Sequence, residues 1–203
     1  MTFDLSLQQI LLRIVALLVV GAVHGLVLAG LAAAFGDRGP RFDGRLTANP
    51  FSHVDPLGMV VAVASLGGWI RPINIDPAQM RRGRLGLVIA VLLSLVAVIV
   101  VGQAVQPLRA LTVATLPPSA SNLINIWLQL FAQMSVVFAL MNLIPLPPFS
   151  GGHLLQAIAP AIYEKVNARV TIIAVVIAAL ALIDRGVMVR AVLGPLVHAI
   201  TGY

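Results

Sequence analysis

The stretch "LGMVVAVASLGGWI", residues 57–70, decides how this chain folds. It is apolar throughout, yet its 14 residues fall short of the roughly 20 that a helix needs to cross a hydrocarbon core of about 30 Å. Gly58, Gly67 and Gly68 interrupt it. Arg38, Arg41 and Arg45 precede it, and Arg71, Arg81, Arg82 and Arg84 follow, so seven of the 13 basic residues flank this one piece. A crossing would divide these arginines between two membrane faces. Entering and returning keeps both groups on the cytoplasmic side, as the positive-inside tendency favours. The sequence therefore predicts a re-entrant or partial segment. Backbone of that kind is tolerated at depth only where protein shields it or where it lines a wet cavity, so a cavity is expected beside it. A plain short helix packed between longer ones is the blander reading.

Outward from this piece, the chain is 60% hydrophobic and 10% charged over 203 residues, against about 25% charged residues in an ordinary soluble domain. A membrane is the solvent this composition calls for. Four apolar stretches approach spanning length: 9–35, 85–106, 122–144 and 168–184. Two shorter ones, 153–163 and 187–200, complete a bundle; the second contains Gly194-Pro195 and is expected to cap it. No internal repeat or low-complexity linker appears, so residues 1–203 read as a single transmembrane domain. The first residues, "MTFDLSLQQ", are polar and carry an acid, unlike the basic start of a signal peptide. There is no cysteine, which excludes disulfides and thiolate metal sites. The net charge of +6 sets membrane topology rather than binding nucleic acid. Twelve arginines against one lysine, with much alanine and valine, suggest a GC-rich bacterial genome and hence a multi-pass protein of a bacterial inner membrane. Asn122, Asn125, Gln129 and Gln133 recur at helical spacing and form one polar stripe. Such a stripe serves as a helix-packing seam or as the wall of a groove for a guest segment.

The chemistry-bearing residues begin with "AVHGLVLAG" (22–30), where His24 stands alone among apolar neighbours. "GDRGPRFDGRLTANPFSHVDPLG" (36–58), "GGWIRPINIDPAQMRRG" (67–83), "NLIPLPPFSGGHLL" (142–155) and "VLGPLV" (192–197) follow in order. In content, order and spacing these segments resemble the short bacterial branch of the site-2 protease family of intramembrane zinc metalloproteases, and the resemblance covers nearly the whole chain. That family reads H-E-x-x-H-A on its first core helix, then G-D…G-R-L-T-x-N-P…H-x-D-P-x-G, and later N-x-x-P-x-P-P-x-D-G-G. The resemblance implies an all-α polytopic membrane protein, a site-2-protease-like helical bundle. It would have about four full spans, re-entrant or partial segments, and a short strand-like loop at "GRLTANP".

The departures from the family pattern fall on the catalytic positions. The first metal histidine corresponds to His24. The general-base glutamate position holds Gly25, the second histidine position holds Leu28, and the aspartate ligand position holds Ser150. The family's G-P-x-x-N motif is replaced by "AVLLSL" (90–95). A catalytic zinc uses about three protein ligands and an open site for water, and it works by lowering that water's pKa. One imidazole and a serine hydroxyl fall short of that set, so no resident cofactor is expected. The alternative is a zinc site rebuilt from His24, His53 and Asp55. A serine mechanism through Ser150 and His153, three residues apart, lacks a third orienting group.

Three functions follow as expectations. The first is a non-catalytic homologue whose former substrate groove holds a partner's transmembrane helix, as an assembly factor, regulator or accessory subunit. His24, His53, Asp55, Asn142, Pro145, Pro147 and Ser150 would line that groove as polar or rigid contacts. The second is an active intramembrane metallopeptidase with a rearranged metal site. The third is a purely structural membrane subunit. Membrane lipid is a partner in every case.

Overall fold

A computed structural model describes residues 5–202. Residues 1–4, which carry part of the polar N-terminal reading, and Tyr203 lie outside the described residues. The fold is all-α. Among the described residues no strand forms, and an isolated antiparallel bridge joins Val54 to Ile70.

Three long helices form the centre. Helix α1 (Leu7–Phe35) starts at a capping box, in which Ser6 and Gln9 exchange side-chain to backbone hydrogen bonds. This satisfies two orphan donors of the first turn. It ends at Gly36, whose φ of 118° suits glycine, and a Cβ there would come within 2.9 Å of the Gln79 carbonyl. After a single turn, α2 (Gly39–Phe42), and the hairpin described next, α4 (Gly83–Ala104) and α6 (Pro118–Met141) pack against α1 and against each other. Small residues allow the approach: Gly102 of α4 lies directly on Ser135 of α6, as expected where helices associate without water to drive them. The short α5 (Leu108–Thr115) joins α4 to α6 and leaves Leu108, Leu111 and Val113 exposed. These three long segments have the length and hydropathy of membrane spans, and α4 turns Leu85, Leu92, Leu93, Val96 and Val100 outward.

The piece at 57–70 enters and returns. Asp55 caps α3 (Pro56–Ser65) by accepting from the Gly58 amide at 2.9 Å, with Pro56 at the first helical position. After Leu66, in the left-handed region at φ 68°, the chain reverses through Gly67 and Gly68. It then runs back so closely that a Cβ on Gly58 would overlap the Trp69 backbone. The Val54–Ile70 bridge and a 2.8 Å bond from the Arg71 amide to the His53 carbonyl tie the two ends together. The buried Arg45 guanidinium gathers the carbonyls of Ser52, Arg71 and Pro72 beneath them.

The remaining helices are α7 (Gly152–Ile158), α8 (Pro160–Asn167), α9 (Val170–Asp184) and α10 (Val187–Thr201). The fourth stretch, 168–184, forms α9, whose 15 residues are too few to span unless α8 is counted with it, and the two meet at a bend of 69°. One expectation needs correction, the strand at "GRLTANP". The segment "GRLTANP" forms no strand. Asn49 and Thr47 accept nearby backbone amides, from Phe51 and Asn49, and such local bonds favour turns over ladders. The segment 187–200 does fold onto the bundle, as a helix with Pro195 inside it. Two apolar cores result. One lies among α1, α4 and α6; the other, around Trp69, Val137 and Phe149, joins the hairpin to α6, α9 and α10.

Candidate functional site

His24 is completely buried on α1. Its Nε2 lies 2.7 Å from the Ser150 hydroxyl, contributed from 126 residues away, and its ring meets Phe138 edge-on at 5.3 Å. Its Nδ1 is buried with no hydrogen-bond partner. The loop after α6 places Ser150. Asn142 is fully buried and bonds in three directions. Its amide nitrogen donates to the carbonyls of Gly68 at 2.7 Å and Phe138 at 2.9 Å, and its oxygen accepts from the Ser150 amide at 3.0 Å. One side chain thereby joins the returning arm of the hairpin, the end of α6 and the serine. Gly151 is required at its position, because a Cβ there would strike the Ile144 carbonyl.

His53 is brought to the same helix. Its Nε2 lies 2.9 Å from the Thr47 carbonyl. A carbonyl only accepts, so Nε2 carries the proton and Nδ1 is a bare lone pair, buried and without a hydrogen-bond partner. The ring rests on Gly25: a Cβ at that residue would fall inside the imidazole. The volume a side chain would claim at position 25 is therefore occupied by His53. Burial pushes the His53 pKa down, and the Thr47 carbonyl partly opposes this.

A cavity of about 180 Å³ opens beside Ser150. Leu28, Ile70, Pro72, Asn74, Pro147, Phe149, Ser150, His153, Tyr163 and Asn167 are among the residues that line it. This is the cavity expected beside 57–70. A neighbouring cleft of about 400 Å³ shares Asn74, Tyr163 and Asn167 and reaches Asp37 and Asp76.

The seven anticipated groove residues separate into groups. Pro147 and Ser150 line the cavity, with His24 and Asn142 directly behind the serine. His53 lies against Gly25 instead, Asp55 is spent capping α3, and Pro145 is exposed. His24, His53 and Asp55 do not converge: among the described residues no group of three His, Asp or Glu is placed to hold a metal ion. Ser150 pairs with His24 rather than with His153, whose Nδ1 faces the Gln156 oxygen at 2.9 Å. The polar stripe on α6 also divides. Asn125 accepts from Thr112 of α5 at 3.0 Å, Asn122 is exposed, and Gln133 lines a different cavity. Sequence reasoning missed Asn74, Tyr163 and Asn167: Asn74 falls inside the family-like segment 67–83 without being singled out there, and no motif or spacing distinguishes the other two.

Comparison with known proteins identifies the family. The family model "Peptidase family M50" matches residues 7–183. The chain is 30% identical over 170 residues to "Putative zinc metalloprotease YwhC" of Bacillus subtilis (strain 168), covering 78% of this chain and 73% of that protein. No solved structure matches significantly. The match of the family model across the spanning helices and both motif loops places this chain in peptidase family M50, the site-2 protease family.

Proposed function

We propose that this chain is a non-catalytic site-2 protease homologue of a bacterial inner membrane. It holds a transmembrane segment of a partner protein in the cavity beside Ser150, as an assembly factor, regulator or accessory subunit. The observation that carries this reading is the 2.7 Å contact between His24 and Ser150. The two surviving polar groups at the family's ligand positions satisfy each other, while Leu28 presents only hydrocarbon. One imidazole and one neutral hydroxyl do not fit a zinc that takes about three protein ligands. Gly25 supplies no carboxylate to take a proton from water, and His53 fills the space where one would stand. A cavity is present, lined by residues that follow the hairpin and by Pro72, Pro147 and Pro148. Those features suit gripping an unwound segment without cutting it. The arginines in the loops at the base of the hairpin favour a cytoplasmic side for this opening.

The test uses the full chain purified in mild detergent. Zinc far below one per chain, unchanged in His24→Ala, together with photo-crosslinks from Asn74 and Tyr163 to the transmembrane segment of a co-purifying protein, would support the proposal. About one zinc per chain that is lost in His24→Ala, with chelator-sensitive cleavage of a membrane-embedded substrate, would overturn it in favour of an active metallopeptidase.

A further inference from the structure

A second cavity, of about 160 Å³, lies on the other side of the hairpin, where the tip of α3 meets α6 and α10. Ser65, Gln133, Val137, Arg190 and Val197 contribute to its walls. It has no part in the site around Ser150. Two cations meet beside it. Arg190 stands on its wall, and the half-buried Arg13 reaches across from α1 to donate to the Val63 carbonyl at the hairpin tip. Val63 is two residues from Ser65 of the cavity wall, so both arginines stand at the hairpin tip. Neither guanidinium is paired with a carboxylate among the described residues. The nearby acid, Asp184, instead accepts from the Met188 amide at the start of α10 at 2.9 Å. The Ser65 hydroxyl is spent on the carbonyls of Val61 and Gly67. The arrangement thus has unspent cationic donors at one side of a largely hydrocarbon hollow. The hollow sits on a helix whose Met188, Val192 and Leu196 face outward.

We infer that this cleft binds the phosphate-bearing headgroup of an anionic phospholipid. The guanidinium groups of Arg190 and Arg13 grip the phosphate, and a length of acyl chain lies against Val137 and Val197. Charge complementarity and surroundings both select this occupant. A guanidinium fork matches phosphate oxygens two at a time, and cationic side chains beside a bilayer draw an anion that the bilayer supplies. A free anion would leave the hydrocarbon wall uncovered, and a zwitterionic lipid would bring its own cation to two arginines.

The experiment measures thermal unfolding of the full chain in a neutral detergent. It adds dioleoylphosphatidylglycerol, dioleoylphosphatidylcholine or inorganic phosphate, and native mass spectrometry counts retained lipid in parallel. Phosphatidylglycerol is expected to raise the unfolding temperature by roughly 3 °C or more and to stay bound. Phosphatidylcholine and phosphate should do neither, and Arg190→Gln should lose most of the shift while Arg190→Lys keeps part of it. Equal effects of the two lipids, a shift reproduced by phosphate alone, or a shift that survives in both Arg190→Gln and Arg13→Gln would each overturn the inference. If either glutamine variant fails to fold, the lipid selectivity of the native chain in the mass spectrum decides the matter by itself.

Discussion

At the scale of single residues, the site is governed by what stands at position 25. A Cβ there meets the ring of His53, which is held from behind by the Thr47 carbonyl, so the ring has nowhere to retreat. Gly25→Ala should destabilise the protein by about 1–3 kcal/mol, the usual cost of overpacking, and Gly25→Glu by at least as much. The check is a double-mutant cycle: His53→Ala should recover most of the loss if the clash is the cause. Protonation gives a second prediction. Burial holds the imidazoles of His53 and His153 below the ordinary histidine value of 6.5, against hydrogen bonds to Thr47 and Gln156 that pull the other way. The unfolded chain then takes up protons near pH 6.5, where the folded chain does not. Stability should therefore fall as pH drops below that value and level off once the folded imidazoles also protonate. Unfolding temperatures between pH 8 and pH 5 should show the fall, and His53→Asn should shallow it. The pairing of His24 with Ser150 was legible only through family motif positions, since two residues 126 apart carry no mutual signal. The packing of His53 on Gly25 was not legible at all, because ring placement depends on the Arg45 and Thr47 contacts that fix the loop.

At the scale of elements, the re-entrant hairpin is held by its own caps and by Asn142. The cap at Asp55-Pro56 and the reversal at Gly67-Gly68 could be read from the sequence, because an Asx cap, a proline at the first helical position and paired glycines have fixed backbone meanings. The angle of 69° between α8 and α9 was not: hydropathy separates the pieces 153–163 and 168–184 but carries no direction. Asn142 ties the hairpin to the Ser150 loop through the Gly68 carbonyl and the Ser150 amide. Asn142→Leu keeps the volume but strands both groups in a dry interior. The cost should be about 2–6 kcal/mol, from roughly 1–3 for each buried group left unpaired. Proteolysis should then cut the loop at residues 143–150 more readily than in the parent chain. Asn142→Asp keeps the acceptor for Ser150 and loses the donor to Gly68, so it should give the smaller loop exposure of the two while still loosening the hairpin.

At the scale of the whole molecule, the arrangement of the spans follows from where the hairpin begins and ends. The arginine count alone left two topologies open, since a crossing at 57–70 would reverse every later helix. The Val54–Ile70 bridge and the bond from Arg71 to His53 put both ends at one level, and Arg45 binds carbonyls from both arms at once. The loops before and after the hairpin therefore lie on the same face, and α4 starts from the side on which α1 ended. The turn between α5 and α6 then falls on the opposite face. Because the chain has no cysteine, single introduced thiols report this without background. Phe42, Arg84 and Ser119 are all exposed, so cysteine at each tolerates labelling without disturbing a core. In oriented membrane vesicles, Phe42→Cys and Arg84→Cys should react with an impermeant maleimide from the same side, the cytoplasmic one, and Ser119→Cys only from the other. If Ser119→Cys labels together with Phe42→Cys instead, and Arg84→Cys only from the other side, residues 57–70 cross the membrane. The cavity beside Ser150 would then lose the shared cytoplasmic opening on which its use as a partner-binding groove depends.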